Sequence, residues 1–163
     1  MANSLPLFER LKQKSSYKSF IDENEGSFLY ALFCILSNKE KEGDKIQFDF
    51  YIPSYKKVAY SEYPFDAIKV QNQGVTFEGK KLDLGLINVD VEDLWEVVEK
   101  IQLEKNDKEI ITKIIGVLRE SGWDLTCTTQ SLNMLRIKLD AVTKECTSYK
   151  KENLSNLISI RKK

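Results

Sequence analysis

At 163 residues, 42% of them hydrophobic, the chain is long enough to bury one core and too apolar for wholesale disorder. Its 25 basic and 25 acidic residues cancel, and the pI is near 6.4, so the cationic excess typical of nucleic-acid binders is absent and no nucleic-acid partner is expected. The complete lack of histidine excludes Ser-His-Asp and Cys-His nucleophile systems and removes the commonest metal ligand.

In chain order, Ser4 reads as the cap of a first helix, with Pro6 in its first turn, Leu7, Phe8 and Leu11 on one face, and an end near Ser15-Ser16 or, frayed, near Phe20-Ile21. The opening Met-Ala-Asn-Ser-Leu-Pro has no basic stretch followed by an apolar one, so a cytoplasmic setting is expected. Phe28 to Leu36 is apolar on both parities, which suits a strand covered on both faces or a buried helix, and is too short to span a bilayer. After a charged loop from Ser37 to Lys45, Ile46, Phe48, Phe50 and Ile52 alternate with polar residues. Pro53-Ser54 then turns the chain into a partner strand bearing Val58 and Tyr60.

Residues 64–88 read as a connector with one or two short strands. Asp90 caps a clear helix, with Glu92 and Asp93 at its positive end and Val91, Leu94, Val97, Val98 and Ile101 as its apolar stripe. Ile110 to Leu118 is a second two-sided apolar run. Trp123, Leu125 and Cys127, followed after Gln130-Ser131 by Leu135, Ile137 and Leu139, form the inward set of a hairpin. Cys146 onward reads as a polar tail in which Leu154 to Ile160 packs as a short helix or strand.

Both halves run helix, two-sided strand, alternating hairpin, and the hairpins superimpose at a constant offset, Ile46 on Trp123, Phe48 on Leu125 and Tyr60 on Ile137. The pattern predicts an α+β fold of two pseudo-repeated α-β-β-β units, antiparallel sheets with helices packed on one face. It predicts a single domain over 1–163: a first unit at 1–63, the connector 64–88, a second unit at 89–145 and the tail 146–163.

The closing phrase of the second unit, Ile137-Lys-Leu-Asp-Ala-Val-Thr-Lys-Glu145 preceded by the Trp123 strand, resembles that of PepSY domains over about residues 91–145. Lys144 stands where that family usually has glycine, and the run from Ile110 to Leu118 adds a strand between helix and Trp strand. The resemblance implies a small propeptide-like or inhibitory binding module.

No phosphate-binding glycine motif is present, so no cofactor is expected, and Cys34, Cys127 and Cys146 lack CxxC spacing, so neither a zinc site nor a disulfide framework is expected. Cys127 reads as a core-facing cysteine, since no basic neighbour would lower its pKa. Asp90, Glu92 and Asp93 read as capping groups, because they lack the alternating order of a calcium loop. Asp140 and Thr143 read as an Asx-type turn, and Lys56-Lys57 and Lys80-Lys81 as solvated turns.

Tyr51, Tyr55, Tyr63 and Phe65 gather around the first hairpin and are the candidate protein-binding residues, since tyrosine joins a large apolar body to a polar tip. The alternative for these residues is packing under the connector. These readings point to a non-enzymatic protein-binding module with an unknown protein or a second copy as partner, and no membrane association. The alternatives are a secretion-type chaperone dimer and a small-ligand-binding protein or enzyme with a pocket between helices and sheet.

Overall fold

The computed structural model describes residues 3–37 and 43–154. Strands β1 (Phe28–Ser37), β2 (Lys45–Ile52), β3 (Lys57–Glu62), β4 (Lys69–Val70), β5 (Ile111–Arg119), β6 (Gly122–Thr129), β7 (Asn133–Leu139) and β8 (Cys146–Asn153) form one antiparallel sheet, in the order β4-β3-β2-β1-β5-β6-β7-β8. Helices α1 (Ser4–Lys12), α2 (Ser15–Glu23) and α3 (Leu94–Glu104), the last preceded by a 3-10 turn at Val91–Asp93, complete the described structure.

A single eight-stranded sheet with three short helices replaces the expected pair of repeated α-β-β-β units. The two-sided apolar strands are responsible: β1 and β5 pair with each other from Ala31–Arg119 to Ser37–Lys113, so neither leaves a free edge. The halves also differ in detail. The first helix breaks at Lys14, whose extended backbone (ψ 145°) redirects the chain into α2, so that Phe8 of α1 and Tyr17 and Phe20 of α2 all pack on Phe50. Where a polar tail was expected, β8 adds to β7 along Asn133–Asn153 to Leu139–Cys146. Beyond Leu154, the expected element at 154–160 lies outside the described residues.

The core lies between the three helices and one face of the sheet, here called the inner face. Leu32, Cys34 and Leu36 of β1, Ile46, Phe48 and Phe50 of β2 and Ile114 and Leu118 of β5 point into it. So do the inward sets of the second hairpin, Trp123, Leu125 and Cys127 with Leu135, Ile137 and Leu139. Gly116 sits in register with Cys34 and Leu125, and a Cβ there would come within 2.9 Å of the Trp123 ring. Its missing side chain is the space the indole occupies, and Trp123 Nε1 donates to the Val89 carbonyl at 2.8 Å, tying the chain before α3 to the sheet.

One carboxylate joins the helical layer. Asp90 accepts from Val91 N at 2.7 Å and its own N–H donates to Asp93, closing a capping box. The same carboxylate accepts from Ser4 N at 3.1 Å and Ser4 Oγ at 2.9 Å. Ser4, fully buried, is thus the first residue of α1, held by Asp90, and does not cap its own helix. Asp90→Ala is expected to cost about 2 kcal/mol, since it orphans a buried hydroxyl and two helix-start N–H groups. In a denaturation double-mutant cycle, Asp90→Ala and Ser4→Ala are expected to be non-additive; additive losses would show that the two groups act independently.

Candidate functional site

Helices α1, α2 and α3 are all on the inner face, which leaves the outer face of the sheet to be explained. Along the middle of β1 and β5 the outward residues are apolar: Phe33 lies opposite Val117 and Ile35 opposite Ile115, and all four are half-buried. Among the described residues no helix covers them. The two-sided apolar runs suit a strand covered on both faces or a buried helix; both runs are strands, and the described helices cover only their inner side.

One end of this face is closed by the connector. Phe77 packs on Tyr30 (ring centroids 5.6 Å) and on Tyr51 (6.1 Å), and Gly79 lies so close to Tyr51 that a Cβ would sit 2.6 Å from the ring. Leu82 then donates its N–H to the Leu29 carbonyl, and Leu82 and Leu84 pass into the core. An irregularity in the β1–β2 register between Leu29 and Ala31 turns Tyr30 to the outer side. A groove of ≈ 520 Å³ results, walled by Tyr30 and Phe77 and bordered by Arg119, Lys80, Glu120 and Ser121. Burial pushes the Tyr30 phenol up to about 12, so it is a neutral donor there.

Asp49 is next to this groove. It stands in register with Ala31, which is in turn in register with Arg119, so a small residue separates the carboxylate from the guanidinium. Burial pushes the Asp49 carboxyl up to about 6, against the hydrogen bond from Gln47 Nε2 (2.6 Å) and the charge of Arg119, which both pull it down. Its charge therefore changes within a unit or so of neutrality.

Charge divides the face. Beyond the apolar centre, Lys113 and Arg119 on β5 and Arg136 and Lys138 on β7 point outward. Lys150 of β8, opposite Arg136, extends the row, and Asp124 and Glu152 are the acidic counterweights. Their ion pairs are long and exposed, Arg119–Asp124 at 3.9 Å, Lys138–Asp124 at 4.0 Å and Arg136–Glu152 at 3.8 Å, so the cations are only weakly engaged. Across the centre, on β2 to β4, Asp49 and Glu62 offset Lys45 and Lys69.

The tyrosine cluster does not form one surface. Tyr51 has the outward parity expected but is 4% exposed beneath Phe77 and Gly79, and Phe65 is 3% exposed against Phe48 in the core. Tyr55 and Tyr63 are exposed, and of the four residues Tyr63 and Phe65 alone meet ring to ring, edge to face at 5.6 Å. Sequence reasoning missed Phe33, Ile35, Ile115 and Val117, although their outward parity and apolar character were both visible. Burial pushes the thiols of Cys34 and Cys127 up to about 12, so both are inert. Asp140 closes the Asx turn, accepting from Val142 N and Thr143 N at 2.8 and 2.9 Å.

A second polar cluster braces the opposite end of the inner layer. Glu109 accepts from Ser131 and Asn133, Asp107 accepts from Tyr149, and Lys151 bridges both carboxylates at 3.3 and 3.4 Å. It fastens the segment after α3 to the β6–β7 turn and to β8, and its groups satisfy one another. Among the described residues no set of three acidic or cysteine side chains is placed to hold a metal, and no described helix is long and apolar enough to cross a membrane.

No protein-family model matches the chain, and no curated protein matches its sequence. Among solved structures, the crystal structure of a "putative lipoprotein" from Clostridium difficile 630 aligns with a TM-score of 0.48 at 13% identity, covering 87% of this chain and 97% of the other. A likeness at that level carries no functional argument.

Two titrations test the electrostatics. Because the folded Asp49 carboxyl has a raised pKa, its contribution to stability falls as pH rises from about 4 to about 6. Asp49→Asn is expected to stabilise the protein by up to about 3 kcal/mol at neutral pH and by nothing near pH 3, read from Tm; equal effects at both would contradict the burial argument. Glu109 has the opposite sign: hydrogen bonds from Ser131 and Asn133 hold its carboxyl down at about 2. Its stabilisation is therefore complete above about pH 4.5 and lost as pH falls towards 2. Glu109→Gln is expected to lower Tm at neutral pH and to lower it much less near pH 2, where the folded carboxyl is half protonated.

Proposed function

We propose that the protein is a non-enzymatic protein-binding module that receives its partner on the outer face of the sheet. The observation that carries this reading is the contiguous patch of Phe33, Ile35, Ile115 and Val117, half-buried at the centre of a sheet face that no helix among the described residues covers. A sheet face of this kind gains from being covered, because each apolar side chain still has surface to remove from water. The neighbouring groove, with two aromatic walls, offers the type of pocket in which interface anchors concentrate binding energy. The PepSY-like character of residues 91–145 is part of the same proposal and favours binding over catalysis. The three free thiols suit a reducing, cytoplasmic setting for it.

A second reading, a small-ligand carrier, draws on the same ≈ 520 Å³ groove. Thermal-shift measurement against a metabolite panel separates the two, since a ligand bound by the native state alone raises Tm. The docking reading is tested by Phe33→Ser combined with Ile115→Ser. The variant is expected to keep the wild-type circular dichroism spectrum and to lose a stoichiometric partner in a tagged pull-down. Lys100→Ser, on the exposed side of α3, is expected to retain that partner. Equal recovery by all three proteins would place the binding surface elsewhere.

A further inference from the structure

Resting on the docking reading, we propose that the partner is an acidic, apolar-anchored polypeptide segment lying across the strands from β1 to β7. The apolar centre and the cationic field are neighbours on this face and are arranged in rows. One row runs Phe33, Val117, Asp124, Lys138, and the next runs Ile35, Ile115, Thr126, Arg136. Strands in a sheet are separated by about 4.8 Å, so each row places its cation about 10 Å from its apolar residue on β5. A segment crossing the strands therefore meets apolar surface first and positive charge about 10 Å later, a spacing of roughly two turns if the segment is helical.

Charge complementarity selects the sign. Arg136, Lys138 and Arg119 have side chains 58%, 68% and 56% exposed, and Asp124 faces both Arg119 and Lys138 as their shared counterion. A partner carboxylate adds an acceptor to cations that long ion pairs leave half-neutralised, whereas a basic segment would meet a flank on which Lys113, Arg119, Arg136, Lys138 and Lys150 outnumber Asp124 and Glu152. The balanced charges of β2 to β4 give no comparable field on the other flank, so the segment's acidic end points towards β7 and its apolar part towards β1. A large side chain at the apolar end reaches the groove between Tyr30 and Phe77. Stacking a second copy on this face would set the cationic half against a flank of no net charge, which favours a separate acidic partner.

The test is selection of 16-residue peptides displayed on phage against the full chain, with fluorescence titration of the enriched peptides. Enrichment of peptides joining aromatic or aliphatic residues to an acidic cluster is expected. Their affinity should fall about tenfold or more in Arg136→Glu with Lys138→Glu, and fall steeply with salt. Loss of binding in Phe33→Ser with Ile115→Ser but no response to charge reversal would overturn the acidic assignment while leaving the docking face in place. Peptides that bind all variants equally, or no enrichment at all, would overturn both. A dimer by light scattering that dissociates in the Phe33→Ser, Ile115→Ser variant would assign the face to a second copy. Sedimentation with phosphatidylglycerol vesicles that fails on charge reversal would assign it to an anionic membrane surface, and either result overturns the proposal.

Discussion

The structure depends on the pairing of β1 with β5. Both strands are apolar on both parities, so neither can serve as a solvated edge, and laying them side by side merges the two halves of the chain into one sheet. The inner half of that pair is then filled by close contact: Cys34, Gly116 and Leu125 stand in one row, and the Trp123 ring occupies the space that Gly116 leaves. From there the order propagates outward. Trp123 holds Val89, and the next residue, Asp90, holds the start of α3 and of α1 through a single carboxylate. The helices are therefore committed to one side by contacts that begin at the central strands.

That commitment has a consequence for the other side. The described residues supply three short helices, enough to cover one face of eight strands. The outer residues of β1 and β5 keep their apolar character even so, and with the aromatic groove and the cationic field beyond them they make up a surface with an apolar centre and a charged flank. Interfaces are commonly built in this way, with the core of the contact apolar and the charges set around it. Asp49, lifted to about 6 by its burial, is held beside that surface at a cost to stability, as polar groups at functional surfaces often are.

Much of the local structure could be read from the sequence. The alternation of Trp123, Leu125 and Cys127 with polar residues, and the capping role of Asp90, both follow from short-range rules, and both are present as expected. The joined sheet could not be read in this way, because it depends on which edges meet across 75 or more residues of chain, a distance over which periodicity carries no information. β8 was missed because Cys146 to Asn153 has the composition of a guarded edge strand, lysine-rich with few apolar residues, and that composition also describes a tail. Tyr51 follows the alternative left open for it, packing under the connector through Phe77 and Gly79, whereas nothing local reveals that Phe48 packs on Phe65. The open face was the subtler miss. Phe33, Ile35, Ile115 and Val117 were visible as outward apolar residues, but a two-sided apolar strand ordinarily implies cover on both faces.

The proposed docking surface has one requirement, an outer face of β1 and β5 that is open in the isolated chain. It is tested most directly by solvent paramagnetic relaxation of assigned methyl groups, recorded with a soluble gadolinium chelate at a concentration where light scattering shows a monomer. The account predicts strong relaxation of Ile35, Ile115 and Val117 beside protected Ile46, Ile114 and Leu118. Equal protection of both sets would mean that the chain covers this face itself, and the docking surface would have to be abandoned.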